Sequence, residues 1–337
     1  MNNVNKLPSI TETPAEEVDD RPDYVKKIES FDIDNITPEN IQFMINTVQD
    51  YFLEHFPVKP ELVSELPDRF CFMDEDEYVE TATNGEYGEK GYVDFNIRNT
   101  QGYFNQKENK IYMNKSIFKN VESLFSSIFH ESLHYTSIKA GAGFSGNFLQ
   151  PVPDENDPLS TPEDVCTGLR ALDEGTVQFI TLHSVVDNMG FEPKDGMYGY
   201  DGERNVMQSI WDAFPPKTVL HLYFETPIDD IRLHIEKTFE PKETRDTITR
   251  EWGNGVFCDC LRNLGLASRR MNKALNEFAE TGDRTEPDEI LSFVKHALGH
   301  YIVNDCMNNN VKLSDNDKEY LKEYLEPFVD KDGKVNI

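Results

Sequence analysis

The stretch that most constrains this chain runs from Val121 to His134. Val121, Leu124, Phe125, Ile128, Phe129 and Leu133 recur there at three- and four-residue spacing, the period of a helix with one apolar face. The same stretch ends in His130-Glu131-Ser132-Leu133-His134. Four residues along an α-helix turn a side chain about 40° past a full turn, so the two imidazoles leave one strip about 6 Å apart at their bases. One zinc ion can take both. Glu131 lies on the adjoining strip, where it can address a water beside the metal without being a ligand. The bland alternative is two packed or exposed histidines on an amphipathic helix with a charged residue between them.

A catalytic zinc wants three protein ligands and one open position. The segment Leu172-Asp173-Glu174-Gly175-Thr176-Val177-Gln178-Phe179-Ile180-Thr181 opens a second helix, and Glu174 is the expected third ligand. A carboxylate forty residues beyond His134 must arrive on a separate helix, and the neighbouring Gly175 lets two helices approach closely. Glu174 otherwise serves to complement the positive end of the helix dipole. Gln178, one turn on, points the same way and can hold a ligand imidazole by its second nitrogen, fixing its tautomer. His183 faces elsewhere and reads as structural.

The rest of the chain is organised around these two helices. Residues 1–22 are polar and acidic, with Pro8, Pro14 and Pro22, and read as a flexible tail. Thr37-Pro38 starts a helix whose apolar residues Ile41, Met44, Ile45, Val48 and Phe52 share a face. Residues 66–99 read as irregular strands and loops. Gly102-Tyr103-Phe104 and Ile111-Tyr112-Met113 flank a polar turn as the arms of a hairpin. The Gly- and Pro-bearing residues 140–165 form an extended excursion. Beyond them the pattern is helical over about 162–189, 203–212, 217–223, 228–237, 243–280, 287–308 and 314–328. The expected division is a tail over 1–22, a domain over 23–240, and a helical region over 241–337 that packs on it or extends it.

Composition narrows the partners. Sixty-two acidic against thirty-three basic residues give a formal net charge of −29, which repels phosphate backbones and anionic lipid. No nucleic-acid or membrane partner is expected, and no run approaches the ~20 apolar residues of a membrane helix. Met1 to Asp20 has no basic segment followed by an apolar stretch, so a Sec leader is not expected. Five cysteines are an odd, scattered set that suggests reduced thiols. Cys258-Asp-Cys260 is too close to be half of a zinc ribbon.

The pattern His130-Glu131-x-x-His134 followed by Leu-Asp-Glu174-Gly-Thr is similar to the gluzincin group of zinc metallopeptidases, especially the peptidase domains attached to bacterial toxins and injected effectors. The likeness extends weakly through Tyr200, Glu203 and Leu222-Tyr223-Phe224-Glu225, covering about residues 100–237. Many relatives carry an acid one turn after the third ligand, where this chain has Gln178. The resemblance implies an α+β zincin-like fold, with a small irregular β-sheet before the active-site helix and a largely helical C-terminal half. It implies one zinc ion on His130, His134 and Glu174, and hydrolysis of a peptide bond in a protein or peptide substrate with Glu131 as general base. It also implies a donor for the oxyanion, for which Tyr200 is the candidate, with Arg204, His221 and His234 behind it. The place of action would be the cytoplasm, or another cell reached by injection. Two other readings stay open: a zinc-binding adaptor without turnover, and a helical interaction protein with no metal.

Overall fold

The computed structural model describes residues 19–84, 97–141, 173–213 and 273–308, with a few positions between 219 and 271. Most of the expected tail and of the excursion at 140–165, the Cys258/Cys260 pair, the helices expected at 228–237 and 314–328 and the boundary at 240 lie outside the described residues. Within them the chain is mostly helical with one small mixed sheet. None of their helices is long and apolar enough to cross a membrane.

Three helices precede the sheet: α1 (Asp23–Glu29), α2 (Pro38–His55) and α3 (Pro60–Ser64). The start of α2 follows from its first residues. Thr37 accepts from the backbone N–H of Asn40, the Asn40 side chain accepts from the N–H of Thr37, and Pro38 supplies a helix-ready φ at the first position. Arg21 fastens the chain entry, reaching Glu29 at 2.8 Å and the carbonyl of Gly190 at 3.2 Å.

The sheet has the order β1-β3-β2, from β1 (Phe70–Met73), β2 (Gly102–Asn105) and β3 (Lys110–Asn114). β1 runs parallel to β3, and β2 pairs antiparallel with it as the expected hairpin. Side chains alternate across the sheet as a period of two demands. Ile111 and Met113 enter the main core, whereas Tyr103 and Tyr112 enter a smaller cluster with Tyr78, Val79, Ala82 and Ile97. That smaller cluster is roofed by α4 (Glu75–Asn84), a helix where irregular structure is expected from sequence. Only Tyr78, Val79 and Ala82 of α4 are buried, too few to print a helical period. Three acids in its first turn favour the helix by complementing its dipole.

The centre of the molecule is α5 (Val121–Lys139), begun by Asn120, which accepts from the N–H of Ser123. Sixteen of its nineteen residues are buried, so the helix is wrapped on every side rather than along one stripe. Phe129 packs edge-to-face against Phe52, Tyr51 and Phe56 with centroids 5.0 to 6.2 Å apart. Truncating Phe129 to Ala would cost about 3–5 kcal/mol. Downstream lie α6, helical over 173–182 and continued by a π-helical turn at His183–Asn188, then α7 (Asp201–Ala213) and α8 (Thr285–Asn308). Leu264, Met271, Ile290, Val294 and Leu298 join the same core as residues of α2 and α5.

Candidate metal centre

α5 carries His130 and His134 on one strip, with ring centroids 5.0 Å apart and planes at 68°. α6 brings Glu174 to both: its Oε2 lies 3.5 Å from Nε2 of His130 and 3.3 Å from Nε2 of His134. One donor atom from each of the three side chains falls within 4.8 Å of the other two. A tetrahedral ion with ligand bonds of about 2.0–2.1 Å has edges of roughly 3.3 Å between donors. Both edges at Glu174 match that length, so these residues fit a metal ion, and they are the one such group of three among the described residues.

Two glycines allow the approach. A Cβ on Gly175 would come within 2.5 to 2.8 Å of Cβ, C and O of Glu203, so α6 and α7 touch through backbone there. The close neighbour is thus α7, where the sequence suggests only some second helix. A Cβ on Gly102 would meet Sδ of Met113 at 2.6 Å and Cγ of Glu131 at 3.3 Å. The bare backbone of β2 lets the helix bearing Glu131 lie against the sheet edge.

The sequence misses Asp173. Its Oδ2 lies 3.2 Å from Nδ1 of His134, so the Nδ1 proton is held by that carboxylate and Nε2 is the nitrogen that faces Glu174. Tyr223 hydrogen-bonds to Asp173 in turn and accepts from Ser137 Oγ at 3.1 Å. Gln178, the residue expected to do this, lines the cleft but donates its amide to the carbonyl of Met197 at 2.7 Å. The acid next to Glu174 therefore does what an amide one turn later cannot reach. An Asp directly before the expected ligand was a visible signal, but its helix angle hid it: only the ring of His134 lying between the helices lets adjacent acids reach both nitrogens.

Burial and charge set the protonation of the group. Burial alone would depress His134, but the Glu174 and Asp173 carboxylates outweigh it and hold the imidazole well above its ordinary value. Burial would raise Glu174, yet His134 and His130 hold it well below the usual carboxylate range. Glu131 is raised by burial, against the lowering pull of the two histidines and a backbone hydrogen bond from Phe104. Gln101 pairs with β3 through its carbonyl, so the alternation of the strand turns Gly102 and Phe104 to the free edge of the sheet, where Glu131 meets them.

His130 of this group, with Glu131, lines a cleft of about 310 Å³ whose walls include Gly102, Gln178, Tyr198 and Tyr200. Its outer wall is the loop at 195–200. Asn120, Gln101 and Gln178 each donate a side-chain amide to a carbonyl of that loop, those of Asp195, Gly196 and Met197, at 2.7 to 3.0 Å. Tyr200, at φ 52°, stands just before α7 and accepts from Arg204 N–H at 2.8 Å. Its ring lies nearly parallel to that of His130, with centroids 6.2 Å apart. Arg204 is turned away: it bonds Asp201 at 2.9 Å and lines a different cavity, as does His183. His221 and His234 lie outside the described residues.

The chain matches no family model, no curated protein and no solved structure.

Proposed function

We propose that this chain is a zinc-dependent metallopeptidase of zincin-like α+β architecture, hydrolysing a peptide bond in a protein substrate. The observation that supports this reading most is the convergence of His130, His134 and Glu174 beside Glu131, in a cleft edged by a strand with outward-facing backbone. His130 and His134 would each give Nε2 and Glu174 one carboxylate oxygen, while Asp173 holds the His134 ring in place. A zinc ion held there supplies Lewis acidity, acidifying a water and polarising the attacked carbonyl.

The remaining work falls to side chains of this chain. Glu131 is buried, which raises its carboxyl above the ordinary value, the direction that makes a carboxylate a better proton acceptor. It takes the proton of the attacking water on its carboxylate and passes it to the nitrogen of the leaving amine. The Phe104 N–H holds that carboxylate at the strand edge. Tyr200, on the opposite wall beside His130, supplies a phenol to the negative charge that develops on the carbonyl oxygen. The free edge of β2 offers backbone partners to an extended substrate.

The gluzincin resemblance puts this work in a cytoplasm, that of the producing cell or of a cell into which the protein is injected. The test is a proteome-wide survey of new peptide termini made by the zinc-loaded chain and by its Glu131→Gln form. New termini with the first and not the second support the reading. Equal termini with both remove Glu131 as the base. None with either leaves a metal-binding protein without turnover.

A further inference from the structure

Tyr198 stands between two cavities. One is the cleft with His130 and Glu131; the other, of about 440 Å³, lies between α6 with its π-helical turn and α7. The floor of the second is a continuous aromatic surface. Phe179 and His183 lie nearly parallel at 6.1 Å, and each meets Trp211 at 5.1 Å. The opposite rim is Tyr198, half exposed, with the Arg204 guanidinium 5.6 Å from its ring centroid. Asn205 places an exposed amide at the rim. The walls are preformed. The 195–200 loop is tied by three side-chain amides, and the π-helical turn is closed by Met189 N–H on the carbonyl of Ser184 at 2.9 Å. Turns of that kind often sit at functional sites.

The chemistry selects among occupants. A basic side chain would meet the Arg204 guanidinium and find the Asp187 carboxylate already engaged by His183 at 3.0 Å. An acidic one would find Arg204 already taken by Asp201 at 2.9 Å and would face Asp187. A small aliphatic chain would underfill the space and leave the ring faces uncovered. A planar aromatic group can stack on the floor and against Tyr198, and a phenol oxygen would find Asn205 at the rim. Because Tyr198 borders both cavities, a polypeptide in the cleft, advancing about 3.3 Å per residue, reaches the second cavity with a side chain close to the bond over His130.

We infer that this cavity receives an aromatic side chain, tyrosine above others, of the polypeptide whose backbone lies in the metal cleft. The inference rests on the peptidase reading of that cleft. It is tested in two arms. In the first, N-acetyl-tyrosinamide is titrated into the full chain carrying Trp252→Phe, which leaves Trp211 as the remaining tryptophan of two. Saturable quenching is expected, with N-acetyl-leucinamide at least several-fold weaker. Asn205→Phe, at an exposed helical position whose ring would occupy the cavity, should weaken the tyrosinamide several-fold. No saturable quenching, or equal quenching by the leucine amide, overturns the assignment. In the second arm the zinc-loaded chain digests a peptide library. An aromatic residue enriched several-fold at one fixed position, with that enrichment lost in Asn205→Phe, supports the inference. Cleavage with no aromatic bias overturns it alone. Selective quenching with no cleavage of any peptide instead overturns the peptidase reading, and with it the substrate role of the cavity.

Discussion

Asp173 and Glu174 grip one imidazole at both of its nitrogens. The first lies 3.2 Å from Nδ1 of His134, and the second 3.3 Å from Nε2. Consecutive residues on a helix point about 100° apart, so the ring must stand between their two directions, edge-on to α6. The arrangement fixes the tautomer and the aim of the ring together, which is what a metal ligand requires.

Metal binding is the first expectation. The full chain should take up one zinc ion, and His130→Ala or Glu174→Ala should each abolish stoichiometric uptake, because two donors cannot complete a structured site. Metal content of dialysed protein by plasma mass spectrometry checks this.

Asp173→Asn should keep the fold and weaken zinc binding about 10- to 100-fold, the usual effect of losing the partner of a ligand imidazole. Tyr223→Phe, one bond further out, should weaken it less. Competition with a fluorescent chelator measures both, and equal affinity in all three proteins would remove Asp173 from the role.

Glu131→Gln should leave zinc affinity within a few-fold and lower cleavage by at least about a hundredfold, since general acid–base transfer contributes about 10²- to 10⁴-fold. The variant should unfold at a slightly higher temperature, because a buried carboxyl held above its ordinary value is replaced by a neutral amide. Activity assays and calorimetry on the same preparation read both effects.

Proton linkage gives a signed pH dependence. Zinc needs the Nε2 lone pair of His134, and the raised affinity of that ring for protons means zinc uptake releases a proton near neutrality and weakens as pH falls. Calorimetry in buffers of different ionisation enthalpy detects the release. In a chelator, the raised His134 contributes stability that is complete below the ordinary histidine value and lost as pH climbs through the elevated one. The depressed Glu174 contributes stability above the ordinary carboxylate value that is lost as pH falls through the lowered one. Chemical denaturation across pH should therefore show a stability plateau between those limits, whose alkaline edge moves to lower pH in Glu174→Gln, where Asp173 alone still favours the protonated ring.

Gly175→Ala and Gly102→Ala should differ. At Gly175 the new methyl would press on backbone atoms of Glu203 at 2.7 and 2.8 Å, which cannot rotate away. The clash outweighs the roughly 1 kcal/mol that Ala gains over Gly in a helix, for a net loss of about 1–3 kcal/mol. At Gly102 the nearest atom is the flexible Sδ of Met113 at 2.6 Å, so the loss should be smaller, though the shift of Glu131 should still depress cleavage. Urea midpoints rank the two.

Much of this is legible in the sequence. The period of Val121, Leu124, Phe125, Ile128 and Phe129 gives α5 because a helix is a local structure with a fixed repeat. The spacing of His130 and His134 then puts their imidazoles together. Thr37-Pro38 marks the start of α2, and the two apolar arms around the turn give the β2–β3 hairpin, for the same reason. α1 and α4 were not legible: α1 has seven residues and α4 buries only three, so their apolar pattern is too short to separate from noise. The sheet order β1-β3-β2, with β1 parallel to β3, depends on a contact across some forty residues that no local period encodes.

The same division runs through the site. The sequence alone determined which residues share a helix face, and so paired the two histidines and set Glu131 beside them. Which carboxylate meets which nitrogen was decided by the packing of α6 against α5 and α7. Asp173 on His134, Gln178 on the 195–200 loop and Arg204 on the far cavity all follow from the angle and distance between helices. Those are fixed by the sum of many buried contacts and by two positions, Gly102 and Gly175, where a single methyl group would hold the elements apart.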